Sequence, residues 1–294
     1  MKTITKGKNM NNLKKVGLTA LAGSLAAISA NAAEMTVSGA TLLTYTSGHS
    51  TEVTGNPLGM KTNLGFTASG EVNGYTVSYM QTSKDQFAGM SSARLSVDMG
   101  DMGTIAFDQG SGSGLGTIDD KTPTAAEEIW DGLDAAAASA SDKNGLVGTT
   151  GASGVINYVQ TVEGITFNGA WRKGAGGSAA DGGTTVGTSE GAYDFALTAA
   201  GDTLGAPGLT AGLGYGVEKK GSTDDKHNTV FANYAVGPVT FGAQLSKIDN
   251  GGTTTDTETQ AFGLAFNVND NLSVSYGVRD VEYVKNAAAN VTED

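Results

Sequence analysis

The sequence predicts an all-β protein, a transmembrane antiparallel up-and-down β-barrel with about thirteen strands present and one partly helical loop. Three observations predict it. Apolar and polar residues alternate through segment after segment. The segments run to about nine to eleven residues, the length of a tilted strand crossing a bilayer. The linkers between them alternate between longer and short.

The chain opens with a leader. Lys2, Lys6, Lys8, Lys14 and Lys15 form a basic region without an acid, and "VGLTALAGSLAAISA" follows as an apolar core. "ANA" (Ala30 to Ala32) offers small residues for cleavage, so residues 1–33 read as a signal peptide for Sec export. The full chain has 294 residues, 44 Gly, 4 Pro, no Cys and a net charge of −12. Loss of the five lysines leaves 13 of the 18 basic residues against 30 acidic ones, a net of −17. Without cysteine the exported fold has no disulfide and no thiolate metal site. The strongly negative balance argues against nucleic acid as a partner.

Residues 34–294 form the barrel domain. "NLGFTASG" sets Leu64, Phe66 and Ala68 against Asn63, Gly65 and Thr67. "ARLSVDM" sets Leu95 and Val97 against Arg94 and Ser96, and "ITFNGAWR" sets Phe167 and Trp171 against Asn168 and Arg172. "LTAGLGYGV" opposes Leu209, Leu213 and Tyr215 to Thr210 and three glycines. Strand side chains project to opposite faces in turn, so each segment has one apolar and one polar face. Strand cores fall near 35–45, 60–70, 74–82, 90–99, 103–109, 154–162, 164–172, 191–200, 208–218, 228–236, 238–248, 259–268 and 271–283. Phe231 breaks the tenth pattern. The polar faces carry Thr, Ser, Asn and Gly with an occasional charge. So much apolar face exceeds what one small core buries; a barrel greasy outside and wet inside uses both faces and leaves no exposed edge.

The linkers agree. Longer ones are expected at Thr46–Gly59, Ser83–Gly89, Gly110–Ser153, Lys173–Glu190, Lys219–His227 and Asp249–Glu258. Short ones are "EVNG", "GDMG", "EG", "LGAPG", "GP" and "NDN". Such alternation puts tight turns on one side of a membrane and loops on the other, as in the bacterial outer membrane. The longest linker, 110–153, holds "IDDKTPTAAEEIWDG". Thr122–Pro123 suits a helix start, "TAAE" reads as a capping box and Gly132 as a helix end.

These features together resemble the general porins of the Gram-negative outer membrane, in particular the α-proteobacterial kind. The resemblance rests on the leader, the start "AEMTVSGATLLTY", the "GDMGTIAFDQG" turn and strand, and the long loop after the fifth strand. It implies a sixteen-stranded barrel, a homotrimer embedded in outer-membrane lipid, and a third loop folded into the lumen as a constriction. The family ends on an aromatic residue closing a strand, whereas this chain ends in "AAANVTED", which implies a C-terminal truncation of about three strands.

The resemblance implies a water-filled channel for passive diffusion of ions and small hydrophilic solutes. Loop acids Asp119, Asp120, Glu127, Glu128, Asp131 and Asp134 then face wall bases. Strand phase points Arg94, Arg172, Arg279 and Lys61 inward. Opposed charges set ion preference and orient dipolar solutes. Tyr45, Tyr79, Tyr158 and Tyr276 suit interfacial girdles. Catalysis and a cofactor are not required. Two rival readings remain. A rim hydrolase would use His227 beside Asp224 and Asp225, but no Ser/His/Asp spacing supports it. An adhesive surface barrel would use the Thr- and Gly-rich loops, and "DNGGTTTDTET" is rich enough in oxygen for Ca²⁺ without the ordered spacing of a known loop.

Overall fold

The structure, a computed structural model, describes residues 34–45, 58–83, 89–125, 146–151, 154–174, 189–221, 223–251 and 255–285. Thirteen strands appear among them: β1 (Glu34–Tyr45), β2 (Leu58–Val72), β3 (Tyr75–Ser83), β4 (Met90–Asp98), β5 (Thr104–Gln109), β6 (Val155–Val162), β7 (Ile165–Lys173), β8 (Gly191–Ala200), β9 (Leu209–Lys220), β10 (Thr223–Val236), β11 (Val239–Asn250), β12 (Thr255–Asn269) and β13 (Leu272–Lys285). They form one sheet in sequence order, every neighbour antiparallel. Among the described residues β1 and β13 are its edges, in contrast to the sixteen strands that the resemblance implies. No described helix is long and apolar enough to cross a membrane.

Tight turns close one end of the sheet. Asn73–Gly74 and Glu163–Gly164 both have positive φ at the two central residues, the backbone that matches strand twist in two-residue hairpins. At the opposite end two expected long linkers are corrected. Lys219–His227 is strand on both sides of Gly221–Ser222, and Asp249–Glu258 contracts to 251–254. The charges there suggested loop, yet they pair across the hairpin: Lys220 with Asp225, and Lys219 with Asp224 at 3.8 Å.

The outer face is apolar and exposed. Trp171, Phe241, Phe262 and Tyr276 are 51%, 49%, 53% and 70% exposed. In water this face would have an unfavourable free energy of about 25 cal/mol per Å²; in hydrocarbon it is solvated. The belt also runs at an angle to the strands. On β7 the outward apolar run ends at Trp171, before Lys173; on β13 it ends at Val278, before Asp280. Cα partners traced from Val278 through Phe262, Ala243, Ala232, Ala211 and Ala199 reach Ile165, six residues short of Trp171 after six strand steps. One residue per strand is about 3.3 Å along against about 4.8 Å across. A level belt therefore requires strands tilted by about 35°, the inclination of membrane barrels.

The inner face is polar, and the described apolar core lies on it. Leu115, Ile118 and Val147 from the long loop pack on Ala196, Phe231 and Ile248 of the wall. Phe231 breaks the alternation of β10 because it points inward under that loop, where it is 3% exposed.

Candidate functional site

The loop after β5 enters the lumen and is held there from both of its limbs. Asp108, at the end of β5, starts the turn: its carboxylate accepts from Ser111 N at 2.8 Å and Ser113 Oγ at 2.5 Å. A short 3-10 helix, η1 (Gly114–Ile118), then lies against β7, β8 and β9. Gly114 N donates to Asn168 Oδ1 at 2.9 Å. Past η1 the chain crosses β10 and β11. Gln244 Nε2 donates to the carbonyls of Ile118 and Asp119 at 3.0 and 2.8 Å, and its Oε1 accepts from Lys121 N at 2.6 Å. Asn233 Nδ2 donates to Lys121 O at 2.6 Å.

The returning limb reaches the same wall. Gly148 N donates to Nδ1 of His227 at 3.0 Å. Asp194 on β8 is the clasp between limbs. Its Oδ1 accepts from Leu115 N at 2.9 Å, while Oδ2 accepts from the amides and hydroxyls of Thr149 and Thr150 at 2.8–3.2 Å. The side chain is 4% exposed. A buried carboxylate is tolerated only when its oxygens are satisfied, and each charge-assisted bond is about twice as strong as a neutral one.

The wall is recessed to receive this loop. A Cβ on Gly214 would stand 2.3 Å from Leu115 Cδ1, and one on Gly216 would stand 2.5 Å from Thr149 Oγ1. A side chain at either position would force the Leu115 or Thr149 side chain to move.

The residues expected at the constriction divide into groups. Asp119 and Asp120 are half-buried beside the wall. Asp119 Oδ1 accepts from Asp120 N at 2.9 Å, and Asp120 Oδ1 accepts from Thr122 N and Oγ1 at 3.1 and 2.9 Å. Burial lifts the Asp119 carboxyl above its ordinary range, helped by the neighbouring Asp120 charge and opposed by Lys121 and backbone donors. Arg94 does face inward; it donates to Asn157 Oδ1, to Ser111 Oγ at 3.4 Å and to Gly112 O at 3.3 Å. Arg172 also faces inward but is only 4% exposed. It bonds Thr149 O, Thr150 O and Gly174 O and pairs with Glu218 at 3.1 Å, so it pins the loop instead of facing solutes. Arg279 faces inward on β13, in register with Ala261. Lys61 stands opposite Leu42 in the β1–β2 register; its side chain lies outside the described residues. So do Glu127, Glu128, Asp131 and Asp134, together with most of the expected helix. Lys121 to Ala125, where that helix was to begin, is irregular backbone, and the described helical turn comes earlier, at η1.

His227 is also corrected. It is a strand residue 4% exposed beneath the returning limb, not part of an external linker, and it holds a backbone amide. In the Thr-rich segment Asp256 Oδ1 accepts from Asn250 N at 3.2 Å, closing the hairpin. Among the described residues no acidic or histidine cluster suits a metal ion. Sequence reasoning missed Asp194, Asn168, Asn233 and Gln244. The available signal was the in-phase Gly212, Gly214 and Gly216 of β9, a stretch of wall left bare for something to lie on.

An apolar tilted belt outside, a polar lumen inside and a loop clasped across that lumen define an outer-membrane channel of the β-barrel class. The sequence matches the family profile for Gram-negative porins over residues 17–293, and the chain belongs to that family. Among solved structures, a porin refined at 1.8 Å resolution matches with a TM-score of 0.59 at 13% identity, covering 86% of each chain. OmpF of Salmonella typhi, in complex with daunomycin, matches with a TM-score of 0.54 at 11% identity, covering 86% of this chain and 80% of that one. At these identities the likeness is one of fold. No curated protein sequence matches the chain.

Proposed function

We propose that the channel passes ions and small hydrophilic solutes by passive diffusion, with selectivity set where the acidic loop faces the basic wall. The observation that carries this reading is the loop's double attachment to the inner wall, which supports placing its charges in the lumen. Asp119 and Asp120, with Glu127, Glu128 and Asp131, supply the acidic side. Arg94, Arg279 and Lys61 supply the basic side, and Arg172 holds the loop in place. Charges facing each other across a narrow aqueous section set ion preference and orient dipoles. We further propose that residues 1–33 are a signal peptide for Sec export and that the working form is a homotrimer in outer-membrane lipid. The channel needs no cofactor, and Ca²⁺ in the acidic loops is not required for it.

The test is planar-bilayer recording in a salt gradient. Stepwise conductance grouped in threes is expected, and Asp119→Asn with Asp120→Asn moves the reversal potential towards anions. Unchanged selectivity in that double variant removes the loop from the selectivity role. Hydrolytic activity without conductance returns the rim-hydrolase reading.

A further inference from the structure

The inner wall is not uniform along its height. Around the loop and towards the other end it is crowded with charge: Arg94, Asp108, Arg172, Asp194, Glu218 and Asp225. Below the loop, on the tight-turn side of β6 to β13, the inward positions are Thr, Asn, Ser, Val, Ala and Gly. A cavity of about 510 Å³ lies there, directly under η1. That volume falls within the roughly 300–1,000 Å³ of small-molecule sites.

Its walls combine hydroxyls and amides with a few apolar side chains, Phe231 and Ile118 among them. Thr166, Thr198, Thr210 and Thr240 come from β7, β8, β9 and β11. Thr166 stands opposite Thr198 and Thr210 opposite Asn233, so polar groups sit side by side on neighbouring strands. Asn168 and Asn233 add amides, and Thr117, Ile118 and Lys121 of the loop form the roof. Asn233 Oδ1 is buried and has no hydrogen-bond partner among the described residues.

We propose that this cavity is a binding subsite for a neutral polyhydroxylated solute, a carbohydrate of mono- to disaccharide size. A threonine hydroxyl both donates and accepts. A ladder of them matches a polyol in either hydrogen-bond sense, and the amides fix orientation. No carboxylate lines the cavity to hold a cation, and Lys121 alone is positive. An anion therefore has one counter-charge, and the apolar wall given by Ile118, Ala196, Phe231 and Ala235 suits the C–H face of a sugar ring beside its hydroxyls. The inference relies on the channel reading for the solute's route, not for its binding.

The experiment uses the full chain folded in detergent micelles, with sucrose as probe and saturation-transfer NMR as readout. Expected is a signal that saturates with sucrose concentration and is weakened at least about ten-fold in Thr198→Val/Thr210→Val, about five-fold for each lost hydrogen bond. Neither residue bonds the loop in the contacts described above. A second variant, Thr240→Val, keeps the shape and removes a further hydroxyl of the cavity, and it too weakens sucrose. A signal rising linearly without saturation, or equal in wild type and double variant, overturns the subsite and leaves the cavity as water-filled lumen. Bilayer recording separates the two readings. Conductance without saturable sucrose binding sinks the subsite alone; saturable binding without conductance sinks the channel and keeps the subsite.

Discussion

The two halves of the lumen do different physical jobs. The loop-side half binds polypeptide, and the turn-side half faces solvent. Holding a loop in an aqueous bore takes groups strong enough to compete with water. Beside the neutral Asn168, Asn233 and Gln244, the clasp carries charge: Asp194 joins both limbs, Arg172 ties the returning limb's carbonyls to Glu218, and Asp108 shapes the entry. The turn-side half holds nothing of its own and carries neutral hydroxyls such as Thr166 and Thr198. Ionisable residues in the lumen thus need not be selectivity residues. The most deeply buried of them, Asp108, Arg172, Asp194 and His227, are structural.

The largest effect that tests this division is expected from Asp194→Ala. It leaves the amides of Leu115, Thr149 and Thr150 without their acceptor at once. Losing several bonds to a buried carboxylate lowers the loop's local stability by about 3 kcal/mol. Hydrogen exchange at those three amides should quicken about a hundred-fold, and channel noise should rise. The matching change on the other half is Thr161→Val. Among the described residues its hydroxyl meets only Thr166, at 2.8 Å in an exposed position, so stability should stay within about 0.5 kcal/mol and loop exchange should not move. Equal effects from the two variants would erase the distinction between the halves.

Next comes Gly214→Val. The added Cβ meets Leu115 Cδ1 and the carbonyl of Phe195, at 2.3 and 2.8 Å, and neither is free to retreat far. Overpacking of this kind costs about 1–3 kcal/mol. A lower urea midpoint is expected, with loss of protection at Leu115. Gln244→Leu follows, at about 1–2 kcal/mol. It cuts only the outgoing limb, so Lys121 N should exchange faster while Thr149 and Thr150 keep their protection. Loss of protection on both limbs would mean that the loop moves as one body.

How much of this was legible from the residues follows from the range of each interaction. Alternation is local, and β7 and β9 can be read from nine to twelve consecutive residues. The inward phase of Arg94 and Arg172 is equally local. What each does is not. Gln244 meets Ile118 across 126 positions, and Leu115 meets Asp194 across 79. No spacing rule connects residues so far apart, so a polar residue in phase shows that it faces inward and not what it touches. The charged hairpin at Gly221 misleads for the opposite reason. Lys219, Lys220, Asp224 and Asp225 have loop-like composition, and only their pairing across strands makes them strand. Phe231 is the useful anomaly: a large apolar side chain on a polar face signals a partner in the lumen.

The smallest effect expected is at Asp119, and its sign separates holding from selecting. Burial raises this carboxyl's pKa in the seated loop. The seated form therefore favours the protonated acid. Its stabilising contribution is fully present below the ordinary aspartate pKa and is lost as pH rises through the raised value. At neutral pH the charge works slightly against the seat. Asp119→Asn should then leave stability unchanged or raise it by under about 0.5 kcal/mol. The same charge acts on passing ions in the opposite sense. As pH falls through the raised pKa, cation preference in wild type should decline at a higher pH than an ordinary aspartate would give, and the variant should lack that step. Reversal potentials recorded from pH 7 downwards, beside loop exchange at each pH, check both halves of the claim. A variant that loses stability at neutral pH and keeps the wild-type titration would place Asp119 among the holding residues with Asp194.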